Sequence, residues 1–351
     1  MKRGYSWMKT ISFYDAKPYD KVCFNKLKNQ YGFNIVYFDT KLNEKTVKMA
    51  EGSDAVCAFV NDSLDKPVIE ALFKMNIGVI AMRCAGYNNV DFETAYGKVH
   101  VVRVPAYSPY AVAEFALGML LTINRKFNHA YNRTREFNFS LNGLTGFDLR
   151  GKTFGIVGTG KIGRVFMEVC SGLGVNMVAY DPYPVPDSGI NYVSFEELCK
   201  VSDVISLHCP LTKESHHLVN KKTIDLMKKG VYIINTSRGA LIDAEALVEA
   251  LKDGKVGGAG LDVYEEESEI FYEDFSTKIV QDDVLARLLT FPNVLITSHQ
   301  AYLTNEALGN IAETTMENLR AFFAGDPLNN EVCYHCEKNN SCRKEHKARC
   351  F

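Results

Sequence analysis

Three polar residues follow apolar stretches late in the chain, and their types together suit one reaction. Arg238 stands in Asn235-Thr236-Ser237-Arg238-Gly239, Glu267 ends Asp262-Val263-Tyr264-Glu265-Glu266-Glu267, and His299 follows Leu295-Ile296-Thr297-Ser298. An arginine can grip a carboxylate at two points and polarise the ketone beside it. A histidine can hand over a proton as a hydride arrives, and a neighbouring carboxylate steadies the charged imidazolium. Together these are the groups needed to reduce a 2-keto acid. Singly, each has a plainer reading: Arg238 as a helix cap or surface ion pair, Glu267 as part of a solvated acidic turn, His299 as a hydrogen-bonded core histidine.

A hydride donor has its own signal. Gly158-Thr159-Gly160-Lys161-Ile162-Gly163 lies between the apolar stretch Thr153-Phe154-Gly155-Ile156-Val157 and a helical pattern opening at Ile162. Gly158 permits a tight turn, Gly160 lets the backbone approach a pyrophosphate, and Gly163 allows helix and strand to meet closely. The helix N-terminus then offers free N–H groups to the phosphates. Asp181 ends the next apolar stretch, where a carboxylate can accept hydrogen bonds from both ribose hydroxyls and repel a 2′-phosphate. NAD is therefore expected rather than NADP.

Two sheets are needed to hold these groups. Short apolar stretches at 11–14, 35–38, 55–60, 79–82 and 101–104 alternate with helical patterns such as 21–30 and 67–75, which implies a parallel sheet covered on both faces. A long helix is expected from Pro109 towards Arg135. A second alternation follows, with strands expected at 153–157, 177–180, 204–208, 231–235, 259–263 and 294–297, and a last helix at 305–324 ends at Gly325-Asp326-Pro327. The class is α/β with two doubly wound domains. The cradle sits mid-chain, so the residues before it must build something other than the cofactor domain.

Bulk properties narrow the field. A chain of 351 residues suits two domains, and 40 Lys+Arg against 42 Asp+Glu gives no footprint for nucleic acid. The longest apolar stretch, 111–123, is interrupted by Glu114 and falls short of the roughly 20 residues that span a bilayer, so no membrane partner is expected. No apolar run follows the basic N-terminal residues, and a cytoplasmic protein with reduced thiols is expected. The ten cysteines are unevenly spread. Cys333, Cys336, Cys342 and Cys350, with His346 among them, crowd the last nineteen residues at a spacing that could bind Zn²⁺ or, with the four thiolates, an iron–sulfur cluster. The alternative is a weakly basic tail that binds nothing.

Further strings carry a family resemblance: Arg83-Cys84-Ala85-Gly86-Tyr87-Asn88-Asn89-Val90-Asp91, Val104-Pro105-Ala106-Tyr107-Ser108-Pro109, Ser206-Leu207-His208-Cys209-Pro210-Leu211-Thr212, Asn235 onward to Leu241, and Ser298-His299-Gln300-Ala301. In this order, with the glycine cradle, they resemble the D-isomer-specific 2-hydroxyacid dehydrogenases, most closely those of fermentative lactate metabolism, over about residues 9 to 330. The resemblance implies that His299 is the acid/base, Glu267 its partner, and Arg238 the group that binds and polarises the substrate. It implies that N–H groups around Cys84, Ala85 and Gly86 hold the substrate carboxylate with Tyr107, and that Tyr302, with the stretch Val60-Asn61-Asp62, shapes the side-chain pocket. Cofactor contacts would come from Gly158, Gly160, Lys161, Ile162, Gly163, Asp181, Cys209, Pro210, Thr236, Ser237, Arg238 and Asp262. Ser215 stands where relatives often carry Asn.

The same resemblance implies a Rossmann NAD-binding domain (105–298) inserted into a flavodoxin-like substrate domain (1–104 with 299–332), reaction in the cleft between them, and a tail (333–351) beyond the point near residue 330 where relatives commonly stop. A homodimer or homotetramer is implied, the helix at 111–124 resembling a segment that relatives bury between subunits. Reduction of pyruvate leads, bulkier 2-keto acids such as 2-ketoisocaproate or phenylpyruvate come second, and a non-catalytic NAD-binding regulator is the competing class.

Overall fold

Strands buried on both faces read as unbroken apolar runs, because no position meets water. The computed structural model, which describes residues 8–265, 271–335 and 349–351, follows this logic. β1 (Lys9–Phe13), α1 (Pro18–Tyr31), β2 (Phe33–Tyr37), β3 (Ala55–Ala58), α2 (Lys66–Lys74), β4 (Val79–Met82), α3 (Phe92–Ala95) and β5 (His100–Arg103) come first. Every residue of β3 and β4 is buried. Local chemistry sets the ends: Asp65 and Asp91 accept from the Val68 and Thr94 amides at the starts of α2 and α3, and Gly32 closes α1 in the left-handed region.

Next come α4 (Pro109–Arg125) and α5 (Phe127–Arg135), where one long helix is expected from the sequence. The break falls at Lys126, whose φ is +55°. Asn124 explains the stop: its side chain accepts from the Phe147 amide (2.9 Å) and donates to the Phe147 carbonyl (2.8 Å), tying a distant segment across the end of α4. Such a tertiary tie outweighs the local helical pattern.

The second alternation runs β6 (Thr153–Val157), α6 (Lys161–Ser171), β7 (Asn176–Tyr180), α7 (Phe195–Val201), β8 (Val204–Leu207), α8 (Lys221–Leu226), β9 (Val231–Asn235), α9 (Ala244–Lys252), β10 (Val256–Leu261), α10 (Asp283–Thr290) and β11 (Val294–Ile296). α11 (Asn305–Ala324) and β12 (Glu331–Val332) follow. By contact density it divides into two compact units, Met1–Ser108 with Thr304–Phe351, and Pro109–Leu303.

In the first unit the strand order is β12-β5-β4-β3-β1-β2. The five parallel strands follow the flavodoxin-like order, and α11 packs Ala312, Met316 and Leu319 onto a core of Phe13, Phe24, Ile35 and Val79. β12 corrects the expectation of a purely parallel sheet, since it pairs antiparallel with β5 at the edge. Two residues are too short to show a strand period, which is why sequence reading misses it.

In the second unit all six strands are parallel, in the order β11-β10-β9-β8-β6-β7. Side chains alternate between two cores. Ile205, Leu207, Ile233, Leu247 and Leu285 fill one, while Phe154, Ile156, Phe166 and the α4 residues Ala113, Ala116 and Leu120 fill the other. The apolar face of α4 is thus spent within its own unit. Strand order reverses between β6 and β8, and a doubly wound sheet takes its ligand in the crevice at that point. Among the described residues no helix is long and apolar enough to cross a membrane.

Candidate active site

The glycine cradle lies at that reversal, between the end of β6 and the start of α6. Gly158 has φ +94°, and a Cβ there would stand 2.7 Å from both the Cys209 amide nitrogen and the His208 carbonyl carbon. A Cβ at Gly163 would lie 2.0 Å from the Gly158 carbonyl oxygen. Side chains are thus excluded on two sides of the loop. Gly160, the N-cap of α6, has nothing within 4 Å of where a Cβ would be. The loop is clamped from behind and open in front, as an entering pyrophosphate requires.

Asp181 follows β7 and organises this loop. Its carboxylate accepts from the Thr159 amide (2.7 Å), the Thr159 hydroxyl (3.0 Å) and the Tyr183 amide (2.9 Å). A carboxylate has about four acceptor positions, so capacity for a ribose hydroxyl remains. Thr236, after β9, keeps a buried hydroxyl oxygen without a partner among the described residues, a polar atom that suits a cofactor contact. Ser237 donates to the Leu207 carbonyl (3.1 Å), which ties the β9 loop to β8. Burial pushes the Cys209 thiol up to about 11, so it borders the cradle as a neutral group, with Pro210 exposed beyond it. Lys161 is exposed and Ile162 half-buried at the start of α6. These residues fit a dinucleotide.

His208 lies beneath the cradle, a placement no local pattern announces. Its ring sits 4.9 Å from that of Phe166, its Nε2 is 2.9 Å from the Ser206 hydroxyl, and burial drives its pKa down from 6.5 to about 3. Below about pH 6.5 the unfolded chain binds a proton that the folded chain refuses until about pH 3, so stability is full above this window and falls as pH drops through it. From about pH 7.5 to 5 this one group should remove about 2 kcal/mol. Urea unfolding at the two pH values checks it: His208→Gln should lose correspondingly less stability than the parent, and equal losses would dismiss the buried neutral imidazole.

Arg238 and His299 follow β9 and β11, the two strands that flank β10, and so share the carboxyl edge of one sheet. The Arg238 carbonyl accepts from the Asn235 side chain (2.8 Å), and one guanidinium nitrogen donates to the Ser237 carbonyl (2.7 Å). A Cβ on Gly239 would stand 2.0 Å from the Tyr264 carbonyl carbon, so the arginine loop lies directly on the backbone after β10. His299 has φ +52°, a left-handed conformation rarely tolerated outside glycine.

Asp262, wholly buried after β10, supports that conformation. Its carboxylate accepts from the Thr297 hydroxyl (2.6 Å), the Gln300 amide (2.9 Å) and the Ala301 amide (2.8 Å), while its carbonyl accepts from the His299 amide (2.7 Å). Burial pushes the Asp262 carboxyl up, and these donors pull it back. Tyr272 adds a hydroxyl donating to the His299 carbonyl (3.2 Å). Sequence reading marked Asp262 as a cofactor contact and had no signal for Tyr272. Glu267 lies outside the described residues. Tyr302 is buried.

In the first unit, Cys84, Ala85 and Gly86 follow β4 at the carboxyl edge of the sheet. Arg103 donates to the Ala85 carbonyl (2.8 Å), and the Cys84 thiol to that of Gly86 (3.2 Å). Arg83 anchors the loop from below: it donates to the Asp15 carbonyl (2.7 Å) and lies over the rings of Phe13 (4.6 Å) and Phe59 (4.7 Å). Tyr107 is half-buried, and its carbonyl accepts from Asn310 (2.6 Å). Asp62 departs from the pocket role expected for it. It is buried, and its carboxylate accepts from the Leu42 and Phe59 amides, each at 2.6 Å.

Of the tail, Cys336, Cys342 and His346 lie outside the described residues. Cys333 is buried and Cys350 half-buried. Burial, the Cys333 thiol and Glu331 all push the Cys350 thiol far up. The last residues are tied to the first unit: Arg349 donates to the Phe322 carbonyl (2.9 Å), the Cys350 amide to Glu331 (2.7 Å), and Phe351 stacks on His100 at 4.1 Å.

A parallel sheet with a clamped glycine loop at its reversal point, and an arginine and a strained histidine on its carboxyl edge, defines a nicotinamide-dependent oxidoreductase. Residues 117–301 match the family described as D-isomer specific 2-hydroxyacid dehydrogenase, NAD binding domain. The D-lactate dehydrogenase of Escherichia coli is 50% identical over 326 residues, covering 92% of this chain and 99% of that protein. Its apo-structure superposes with a TM-score of 0.85 at 49% identity, over 92% of this chain and 99% of that one. The structure of the pyruvate reductase of Chlamydomonas reinhardtii superposes at 0.87 with 41% identity, over 92% and 98%. The chain belongs to the D-isomer-specific 2-hydroxyacid dehydrogenases.

Proposed function

We propose that this protein is an NAD-dependent D-lactate dehydrogenase, reducing pyruvate reversibly. The observation that carries this reading is the His299 loop: a histidine in a left-handed conformation, fixed through Asp262 at the edge that also bears Arg238. Fifty per cent identity to the D-lactate dehydrogenase of Escherichia coli, over 99% of that protein, supports the substrate. NADH, when bound, supplies the hydride. His299 gives a proton to the ketone oxygen, and Arg238 holds the carboxylate and stabilises the charge developing on that oxygen. Glu267 is assigned as the partner of His299. The amides of Cys84, Ala85 and Gly86, with Tyr107, are assigned to the substrate carboxylate, and Tyr302 to its side chain.

Domain limits of 1–104 with 299–332, and of 105–298, belong to the same proposal, as does a cytoplasmic location. A homodimer or homotetramer is supported by the exposure of five large apolar side chains, Phe127, Tyr131, Phe137, Phe139 and Leu141, along one short segment. Zn²⁺ or an iron–sulfur cluster in the tail rests on cysteine spacing alone. Initial rates with NADH against pyruvate, 2-ketoisocaproate and phenylpyruvate test the substrate. Pyruvate should give the highest kcat/KM; a preference for either bulkier acid would move the assignment, and no turnover with any would favour a regulator.

A further inference from the structure

Apart from the groups above, the described residues hold one cluster with the chemistry of a transition-metal site: His216, His217 and Glu265, whose ligand atoms all lie within 4.8 Å of one another. His217 Nε2 stands 2.7 Å from Glu265 Oε1, and His216 Nε2 stands 3.9 Å from the same oxygen. The two rings stack at 4.0 Å and 27°, an arrangement that consecutive residues reach here because His217 has φ +49° and turns its side chain back beside its neighbour's. The backbones are held from several directions. His216 donates from its amide to the Thr212 carbonyl (3.0 Å) and His217 from its amide to the Ala240 carbonyl (2.8 Å), and the His217 carbonyl accepts from Asn220 (2.8 Å). The Glu265 backbone lies close to Gly239, where a Cβ would stand 2.3 Å from the Glu265 amide nitrogen.

We propose that His216, His217 and Glu265 form a Zn²⁺ site, open to solvent at a fourth position. Ligands on a tetrahedral zinc ion, with bonds of about 2.0–2.1 Å, sit about 3.3 Å apart. The present separations of 2.7 and 3.9 Å bracket that value, and the two rings must rotate out of their stack so that both Nε2 lone pairs meet at one ion. Two imidazoles select zinc and its neighbours over calcium or magnesium, which take oxygen ligands. An exposed His216 side chain, 52% accessible, leaves the ion a path of entry. The ion replaces the proton in the His217–Glu265 contact and cross-links the turn after β8 to the segment after β10. Glu265 stands two residues before Glu267, and its backbone lies under Gly239, next to Arg238. Occupancy therefore restrains both loops and slows turnover. That last consequence rests on the dehydrogenase reading, whereas the binding itself does not.

Calorimetric titration of the full chain with ZnCl₂ tests the site. A Cys336→Ser, Cys342→Ser, His346→Ala, Cys350→Ser background leaves Cys333 alone of the tail's candidate ligands and so removes the tail as a competing set. That background should bind one Zn²⁺ per chain, and adding His216→Ala should weaken binding by more than the roughly 10–100-fold of an outer-shell change. Glu265→Gln, which keeps the side-chain volume, should weaken it too. Basal turnover of the His216→Ala protein should match the background, with inhibition by micromolar zinc lost. Unaltered zinc affinity in both added variants, or no zinc bound by the background, overturns the proposal. Zinc binding that depends on His216 without slowing turnover keeps the site and removes its effect on catalysis.

Discussion

His299→Gln is expected to lower pyruvate turnover by about 10²–10⁴-fold, the usual worth of a placed acid/base group, while NADH binding survives. The glutamine keeps a polar side chain of similar reach but cannot donate a proton to a ketone oxygen at neutral pH. Its amide still meets the Asp262 carbonyl, so the loop is preserved. Arg238→Lys is the companion variant. It keeps the charge but loses the planar fork that grips a carboxylate at two points, and about 10²–10³-fold in turnover should go with it. Neither substitution touches the clamped glycine loop or Asp181, and Arg238→Lys keeps both its backbone and its charge, so NADH still binds. Fluorescence titration with NADH and steady-state rates on the same preparations separate the two effects. Near-normal rates in both variants would remove the catalytic assignment.

Asp262→Ala should damage both stability and rate. The change strands the buried Ala301 amide and the partly buried Gln300 amide, together worth about 2–6 kcal/mol. It also frees the Thr297 hydroxyl and relaxes the support that keeps His299 at φ +52°. A misplacement of about 1 Å in a reacting group costs about 10²-fold, so kcat should fall by that order with KM changing less. Asp262→Asn is the finer probe. It preserves one acceptor oxygen but points an N–H₂ at a donor, and should fall between alanine and the parent in both urea midpoint and kcat. A purely structural role would lower the midpoint and leave kcat intact, and that outcome would sever Asp262 from catalysis.

Much of this site could be read in the sequence because its signals are local. Gly158, Gly160 and Gly163 announce themselves by spacing within one turn, and Asp181 by its place after the next strand. Arg238 and His299 stand out because each ends an apolar run, and parallel strands deliver such residues to one edge. What escaped depends on contacts between distant segments. Asp262 is expected from the resemblance as a cofactor contact, and its support of the 297–301 loop shows only where that loop folds onto its carboxylate. His208 sits in a recognisable string, yet only packing against Phe166 and the cradle shows that it is buried and neutral. The break at Lys126 comes from a tie between Asn124 and Phe147, which no helical period contains. The zinc cluster joins residues nearly fifty positions apart through a backbone conformation at His217 that its sequence does not advertise.

His299 and Arg238 are assigned to a D-specific reduction of pyruvate, and the product itself tests this most directly. Purified protein is incubated with pyruvate and NADH, and the lactate formed is resolved by chiral chromatography. Stoichiometric D-lactate is expected for NADH consumed. L-lactate, or NADH left unoxidised by pyruvate, would contradict it.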